Sequence, residues 1–375
     1  MEQYLKSYHV IMQTVGPVFV GSGKEIMKKE YIFMDDRKTV GIPDVQRLYA
    51  VLMKNKKEKA FEEYLLGKGS MNLTEWLDRQ RIKERELKPL LKYVLDCGDA
   101  VIDRGGNKLQ IMECVKDAYG NPYIPGSSLK GMFRTILLGA DIINAPEKYQ
   151  REKENIRREA DQKAKRNYYL KKDMDKIEYK MYRTLDRPES KLEDAVNDLM
   201  QGFIVSDSEP LATSDLVLCQ KIDRHVDGTE RKLPLLRECI KPDTEIRFTI
   251  TIDTNLCKLT GKLLMEAVKA FISNYYSNFS KSFSGMDVPK ANYVLCGGGC
   301  GFVSKTIVYP MFEKTEGIEI AQRVFEHTIP EQINRQHKHY KDKQYGVSPH
   351  TMKCTRYQGK LMQMGVCKIL KIKLR

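Results

Sequence analysis

The sequence predicts an α+β fold with two sheet-bearing units, and three observations point there. Short runs alternate apolar and polar residues with period two, most cleanly Ile246-Arg247-Phe248-Thr249-Ile250-Thr251-Ile252. Longer runs carry apolar residues at helical spacing, such as Leu263, Leu264, Ala267, Val268, Phe271 and Ile272. The two kinds of run alternate on both sides of a stretch near 147–191 that is rich in Lys, Arg, Glu, Asp and Tyr.

Taken in order, residues 8–15 read as a first strand, ended by Gly16-Pro17 and resumed as Val18-Phe19-Val20 before Gly21-Ser22-Gly23. Residues 31–34 form a second strand. After Ile42-Pro43-Asp44 the apolar positions Leu48, Val51, Leu52, Phe61, Tyr64 and Leu65 predict one helix over 45–66, and a charged helical stretch follows over 76–91. Residues 109–115 read as a strand, 117–122 as a turn, and Tyr123-Ile124 as a short strand. Pro125-Gly126 breaks that strand, Ser127 or Ser128 is the expected N-cap, and Leu129 to Leu138 continue as a helix. Beyond the charged stretch, strands are expected over 203–208, 216–220, 233–236 and 246–252, a helix over 259–279, and a strand at 293–296. The final Lys368-Ile369-Leu370-Lys371-Ile372-Lys373-Leu374-Arg375 alternates as an edge strand with lysines in water. Strand, helix, strand, strand, helix is the outline of a ferredoxin-like (RRM-like) unit. The expected division is therefore a first such unit over 1–145 with a helical insertion near 67–108, a charged helical or mobile insertion over 146–200, and a second unit over 201–375.

Composition narrows the function. In 375 residues, 64 Lys and Arg stand against 50 Asp and Glu, a formal net charge of +14, which favours a polyanionic partner. No segment approaches the roughly 18 apolar residues of a membrane span, so a cytoplasmic chain with no membrane partner is expected. The nine cysteines are odd in number, scattered, and set in apolar runs, as reduced core residues are. Cys296, Cys300, His337 and His339 match no common zinc spacing, and His337-Lys338-His339 reads as a solvated loop; neither metal nor cofactor is expected.

Three glycine segments lie beside cations: Gly21-Ser22-Gly23-Lys24, Gly126 to Gly131, and Gly297 to Lys305. Glycine admits close approach of backbone to a ligand, and backbone N–H groups with point cations hold phosphate without reading bases. At the expected helix start near 127, free N–H groups with Lys130 and Arg134 one turn away suit a phosphodiester. Gly299 to Thr306 nearly fits an NTPase phosphate loop, but Ser304 stands in place of its second glycine and Ile307-Val308-Tyr309-Pro310 predicts a strand or turn where that loop needs a helix.

The blocks Gly16 to Gly23, Ile42-Pro43-Asp44 and Tyr123 to Gly131 resemble the RAMP superfamily of CRISPR RNA-binding proteins. With Val205-Ser206-Asp207-Ser208, Leu235-Leu236-Arg237-Glu238, Gly297 to Thr306 and Met364-Gly365-Val366-Cys367-Lys368, they look like the family of fifth Csm subunits of type III-A effector complexes. The resemblance implies tandem ferredoxin-like RAMP domains in a non-catalytic RNA-binding subunit. That subunit binds the 3′ region of the guide CRISPR RNA, caps the backbone filament and supports guide maturation and antiviral interference. Implied partners are the guide, the neighbouring backbone RAMP subunit, the small helical subunit, target RNA, and host nucleases in guide trimming. The implied RNA contacts are Gly21, Ser22, Gly23, Ser127, Ser128, Lys130, Gly131, Gly298, Gly299 and Lys305, with Arg134 beside them. Phe19 departs from the family pattern, where a histidine is expected.

The rival is a ribonuclease, metal-dependent or metal-independent, processing guide RNA. RNA cleavage needs a group titrating near neutrality beside the 2′-hydroxyl, or clustered carboxylates for metal. His9, in strand alternation and expected buried, and His225, His327, His337, His339 and His350 all lie away from the glycine segments in sequence, and Asp44 and Asp207 stand alone. Asp207 is the expected cap of a turn. In the charged stretch, Lys163, Lys165, Arg166, Lys171 and Lys172 are secondary candidates for RNA contact, with a solvated face preferred.

Overall fold

A computed structural model describes residues 4–34, 38–100, 110–162 and 166–375. Leu109, Lys163, Lys165 and the 101–108 end of the expected insertion lie outside the described residues. Fourteen strands are present among the described residues: β1 (Leu5–Thr14), β2 (Gly21–Ile26), β3 (Ile32–Phe33), β4 (Thr39–Pro43), β5 (Leu91–Asp96), β6 (Gln110–Cys114), β7 (Phe203–Val205), β8 (Leu216–His225), β9 (Glu230–Ile240), β10 (Glu245–Asp253), β11 (Tyr293–Leu295), β12 (Thr351–Tyr357), β13 (Lys360–Gln363) and β14 (Val366–Leu374).

The first sheet runs β11-β14-β1-β10-β7. β1 lies antiparallel between two partners, with Val10 opposite Phe248 of β10 on one side and Ile372 of β14 on the other. Alternation in β10 buries Ile246, Phe248, Ile250 and Ile252 and leaves Glu245 and Arg247 in water, each buried side chain stabilising the fold by about 1.5–3 kcal/mol. Against this face pack the helices Gly126–Asn144 and Gly261–Asn278, joined in one core through Phe133, Leu137, Leu264 and Val268. The succession β1, helix, β7, β10, helix, β14, with spatial order β14-β1-β10-β7, is that of a single ferredoxin-like unit assembled from the whole length of the chain. The second sheet runs β2-β6-β9-β8-β5-β4-β3, with β12 on β8 and β13 on β12. The mixed α+β class holds, and the strand pairing crosses the sequence limits at 145 and 201.

Several elements differ from the sequence reading. The 45–66 helix is two, Val45–Lys54 and Glu58–Leu66. The first ends because Lys56 takes φ +54°, with Lys57 N–H donating to Leu52 O and Lys56 N–H to Met53 O, a left-handed C-terminal cap. The 76–91 stretch is Leu73–Arg79, opened by an Asn72–Glu75 capping box, and Glu84–Leu87, after which β5 begins. The segment after the third glycine loop, read as a strand or turn, is a single helical turn, Val308–Met311. β14 is covered by β11 only over Val366 to Lys368; beyond that it is an open edge with Lys371 and Lys373 exposed. The charged insertion does not protrude: its helices Gln150–Glu159 and Lys171–Tyr182 send Ile156, Ile177 and Tyr182 into the main core. His9 is exposed, and His339 is buried rather than solvated. All nine cysteines are free and buried.

Candidate nucleic-acid interface

The start of the Gly126–Asn144 helix is built differently from the serine-capped start expected. Pro125 occupies the cap position, its carbonyl accepting from Ser128 and Leu129 N–H at 2.9 and 3.1 Å. The Asp207 carboxylate accepts from Gly126 N–H at 2.6 Å. The helix end thus carries its own anion, which complements the dipole and takes one amide that the sequence reading left for phosphate. Gly126 is required here, since a Cβ would run into the Val205 carbonyl.

From this helix Ser128, Gly131, Met132 and Thr135, spaced three and four apart, face a cleft of about 450 Å³. Val20 and Gly21 line it from the start of β2, Leu295 from the end of β11, and Gly297, Gly298, Ser304 and Lys305 from the loop that follows. The structure therefore brings all three glycine segments to one place. The first and third are tied together by backbone, with Gly298 N–H donating to Phe19 O at 2.6 Å. Lys305 is exposed. Gly131 is exposed, with open space where a Cβ would stand.

Other expected residues lie elsewhere. Lys130 is half-buried on another helix face, donates from Nζ to Met200 O at 2.8 Å, and burial pushes its pKa down. Arg134 pairs with Glu178 at 2.8 Å and Asp198 at 3.0 Å and lies over the Tyr182 ring. Both reach a ligand only by leaving these partners. The Ser22 hydroxyl donates to Glu113 at 2.9 Å; Ser22 and Lys24 line a separate polar cleft of about 610 Å³ with Arg47, Lys92 and Lys116. Gly23, Ser127 and Gly299 do not line the first cleft. Asp44, like Asp207, is a helix cap, accepting from Gln46 and Arg47 N–H.

Behind the third loop stands a group of cations that the sequence reading did not single out. Arg237 of β9 lies 5.2 Å from the Phe19 ring centroid, and its Nε and Nη1 are buried without a hydrogen-bond partner. Gly299, at φ +80°, makes room for it, since a Cβ there would stand 2.5 Å from Nη1. Lys221 of β8 is pushed down in pKa by burial and by the charges of Lys353 and Arg237. Lys353 itself pairs with Asp223 at 2.8 Å. The signal was Arg237-Glu238, a charged pair inside the apolar run of β9. Glu238 is fully buried and accepts from Tyr93 Oη at 2.7 Å, Cys114 N–H at 2.9 Å and Lys116 Nζ at 2.5 Å. Burial and this carboxylate push the Cys114 thiol up to about 12.

A family model for the RAMP superfamily matches residues 11–281. The CRISPR system Cms protein Csm5 of Mycobacterium tuberculosis is 31% identical over 394 residues, covering 98% of each chain. The chain belongs to the RAMP superfamily, and within it to the Csm5 family. The Csm5 of Streptococcus thermophilus is 27% identical, over 85% of this chain and 84% of its own. Among solved structures, a chain of the cryo-EM Csm–crRNA–target RNA ternary complex of a type III-A CRISPR-Cas system superposes with a TM-score of 0.63 at 18% identity, covering 96% of this chain and all of that one. The crystal structure of T. onnurineus Csm5 superposes at 0.58 and 16% identity, covering 96% and 99%. Among the described residues, no helix is long and apolar enough to cross a membrane.

Proposed function

We propose that this Csm5-family chain is a non-catalytic RNA-binding subunit of a type III-A Csm effector complex, holding the 3′ region of the guide CRISPR RNA by its phosphate backbone and capping the backbone filament. One observation carries the reading: segments separated by more than a hundred residues, at Gly21, Ser128–Gly131 and Gly297–Lys305, line one cleft. Its polar side chains are those of Ser128, Thr135, Ser304 and Lys305, a set that binds phosphate and supplies no group titrating near neutrality. Family membership and the likeness to a chain of a Csm–crRNA–target RNA complex support the guide, target RNA and other Csm subunits as partners; the same reading assigns the neighbouring RAMP subunit and the small helical subunit as contacts and host nucleases to trimming of the guide's end.

Binding through phosphates is blind to sequence and sensitive to salt. With roughly 4–6 phosphates neutralised, log affinity for single-stranded RNA falls against log salt with a slope of about −3 to −4, and Lys305→Ala reduces that slope by about 0.7. Filter binding of the purified chain to two unrelated RNA sequences between low and high salt checks both; a flat salt response would refute the reading. Incubating the same preparation with guide precursor and target RNA, with and without Mg²⁺ or Mn²⁺, tests the ribonuclease rival, which requires cleavage that Asp207→Ala or His337→Ala abolishes.

A further inference from the structure

Away from the cleft, the segment between the Lys314–Thr328 helix and β12 gathers chemistry that RNA binding does not use. His339, Asp342 and His350 are 5%, 0% and 5% exposed, and one ligand atom from each lies within 4.8 Å of the other two. His339 Nδ1 stands 3.2 Å from Asp342 Oδ2, His350 Nδ1 touches Oδ1, and the Ser348 hydroxyl donates to Oδ2 at 2.6 Å. Four of the six histidines of the chain meet here: the His225 ring is 4.8 Å from His350, and His337 stacks on His339 at 5.7 Å.

Buried imidazoles and a buried carboxylate are costly unless paired or bound to metal. The His339–Asp342 spacing is compatible with either, and the tighter His350–Asp342 contact opens when an ion enters. Around a tetrahedral ion with bonds of about 2.0–2.1 Å, neighbouring ligand atoms stand roughly 3.3 Å apart, and the His339–Asp342 separation of 3.2 Å fits that edge. Two imidazoles and a carboxylate, with no thiolate, suit a borderline divalent ion of the zinc class. We propose that His339, Asp342 and His350 bind one such cation.

The ion takes the lone pairs of both Nδ1 atoms in place of their hydrogen-bonding contacts with Asp342, each ring keeping a proton on Nε2. Ser348 orients the ligating carboxylate from behind. Phe325, stacked 4.2 Å from His339, and Tyr345, 5.2 Å from His350, enclose the group. Three protein ligands leave the fourth position to a water, and the ion ties His350, immediately before β12, to His339 and Asp342 of the preceding segment. The site stands independently of the RNA reading.

The test is metal content by plasma mass spectrometry on the full chain, stripped with EDTA, reloaded with Zn²⁺ and gel-filtered. Wild type is expected to retain about one zinc per chain and to melt at higher temperature than its stripped form. His350→Gln and His339→Gln lose the metal and the shift, whereas the half-buried neighbour His337→Gln keeps both. Should the ligand variants fail to fold, Co²⁺-loaded wild type decides, because imidazole-carboxylate ligation gives an intense tetrahedral visible spectrum. Wild type retaining no zinc, or a Co²⁺ spectrum of the hydrated ion, overturns the proposal and leaves a hydrogen-bonded knot.

Discussion

Lys116 and Glu238 meet at 2.5 Å with side chains 9% and 0% exposed, so each holds the other's charge in a place where neither would be tolerated alone. Glu238→Gln removes the charge that Lys116 meets, leaving Lys116 with Glu113 at 3.7 Å, and is expected to lower stability by about 1–3 kcal/mol, read as a reduced urea midpoint at unchanged m-value. Lys130 and Lys305 show the opposite limits of what a residue's neighbours in sequence reveal. Both follow glycine and serine. Yet Lys130 turns to the Met200 carbonyl, while Lys305 stands in water at the cleft mouth. The difference is a matter of helix face and tertiary partners, neither of which local composition encodes. Arg237 was legible in principle, because a charge inside the apolar β9 run needs a reason; its place behind Gly299 required the fold.

At the scale of elements, the charged insertion illustrates how few apolar residues suffice to dock a helix. Gln150–Glu159 anchors through Ile156 and is tied to the Lys314–Thr328 helix where the Arg157 guanidinium meets Glu316, one of the two contacts at 2.8 Å. The hydrogen bond and charge of Arg157 hold the Glu316 carboxyl below its ordinary value. A depressed carboxyl stabilises the docked state fully above its unfolded pKa, and that contribution vanishes as pH falls through the lower folded value. Hydrogen exchange of residues 150–159 is therefore expected to be insensitive to pH-linked undocking near neutrality and to show increased opening below about pH 4; Glu316→Gln shows that opening already at neutral pH. The strands with clean alternation, β1 and β10, were legible because period two is a local signal. The β12–β13 hairpin and β5 were not, since mixed apolar, charged and cysteine positions conceal which face is buried.

For the whole molecule, the decisive fact is connectivity. The ferredoxin-like sheet takes β1 from one end of the chain, β14 from the other and β7 and β10 from between, so the glycine segments at 21, 131 and 298 converge although sequence places them far apart. Reading the chain in order suggests successive units because strand and helix signals are local, whereas strand pairing is not. The glycine segments themselves were visible as close-approach sites; their assembly into one cleft was not. Gly131 offers the most direct test of the claim that this cleft binds RNA. It is exposed, lies in the first turns of a helix, and leaves open space for a side chain. Gly131→Glu places a carboxylate in the cleft while improving helix propensity by up to about 1 kcal/mol. Measured side by side, the variant is predicted to melt at or above the wild-type temperature and to bind single-stranded RNA at least about tenfold more weakly at low salt; an equally stable variant with undiminished RNA affinity would contradict the account.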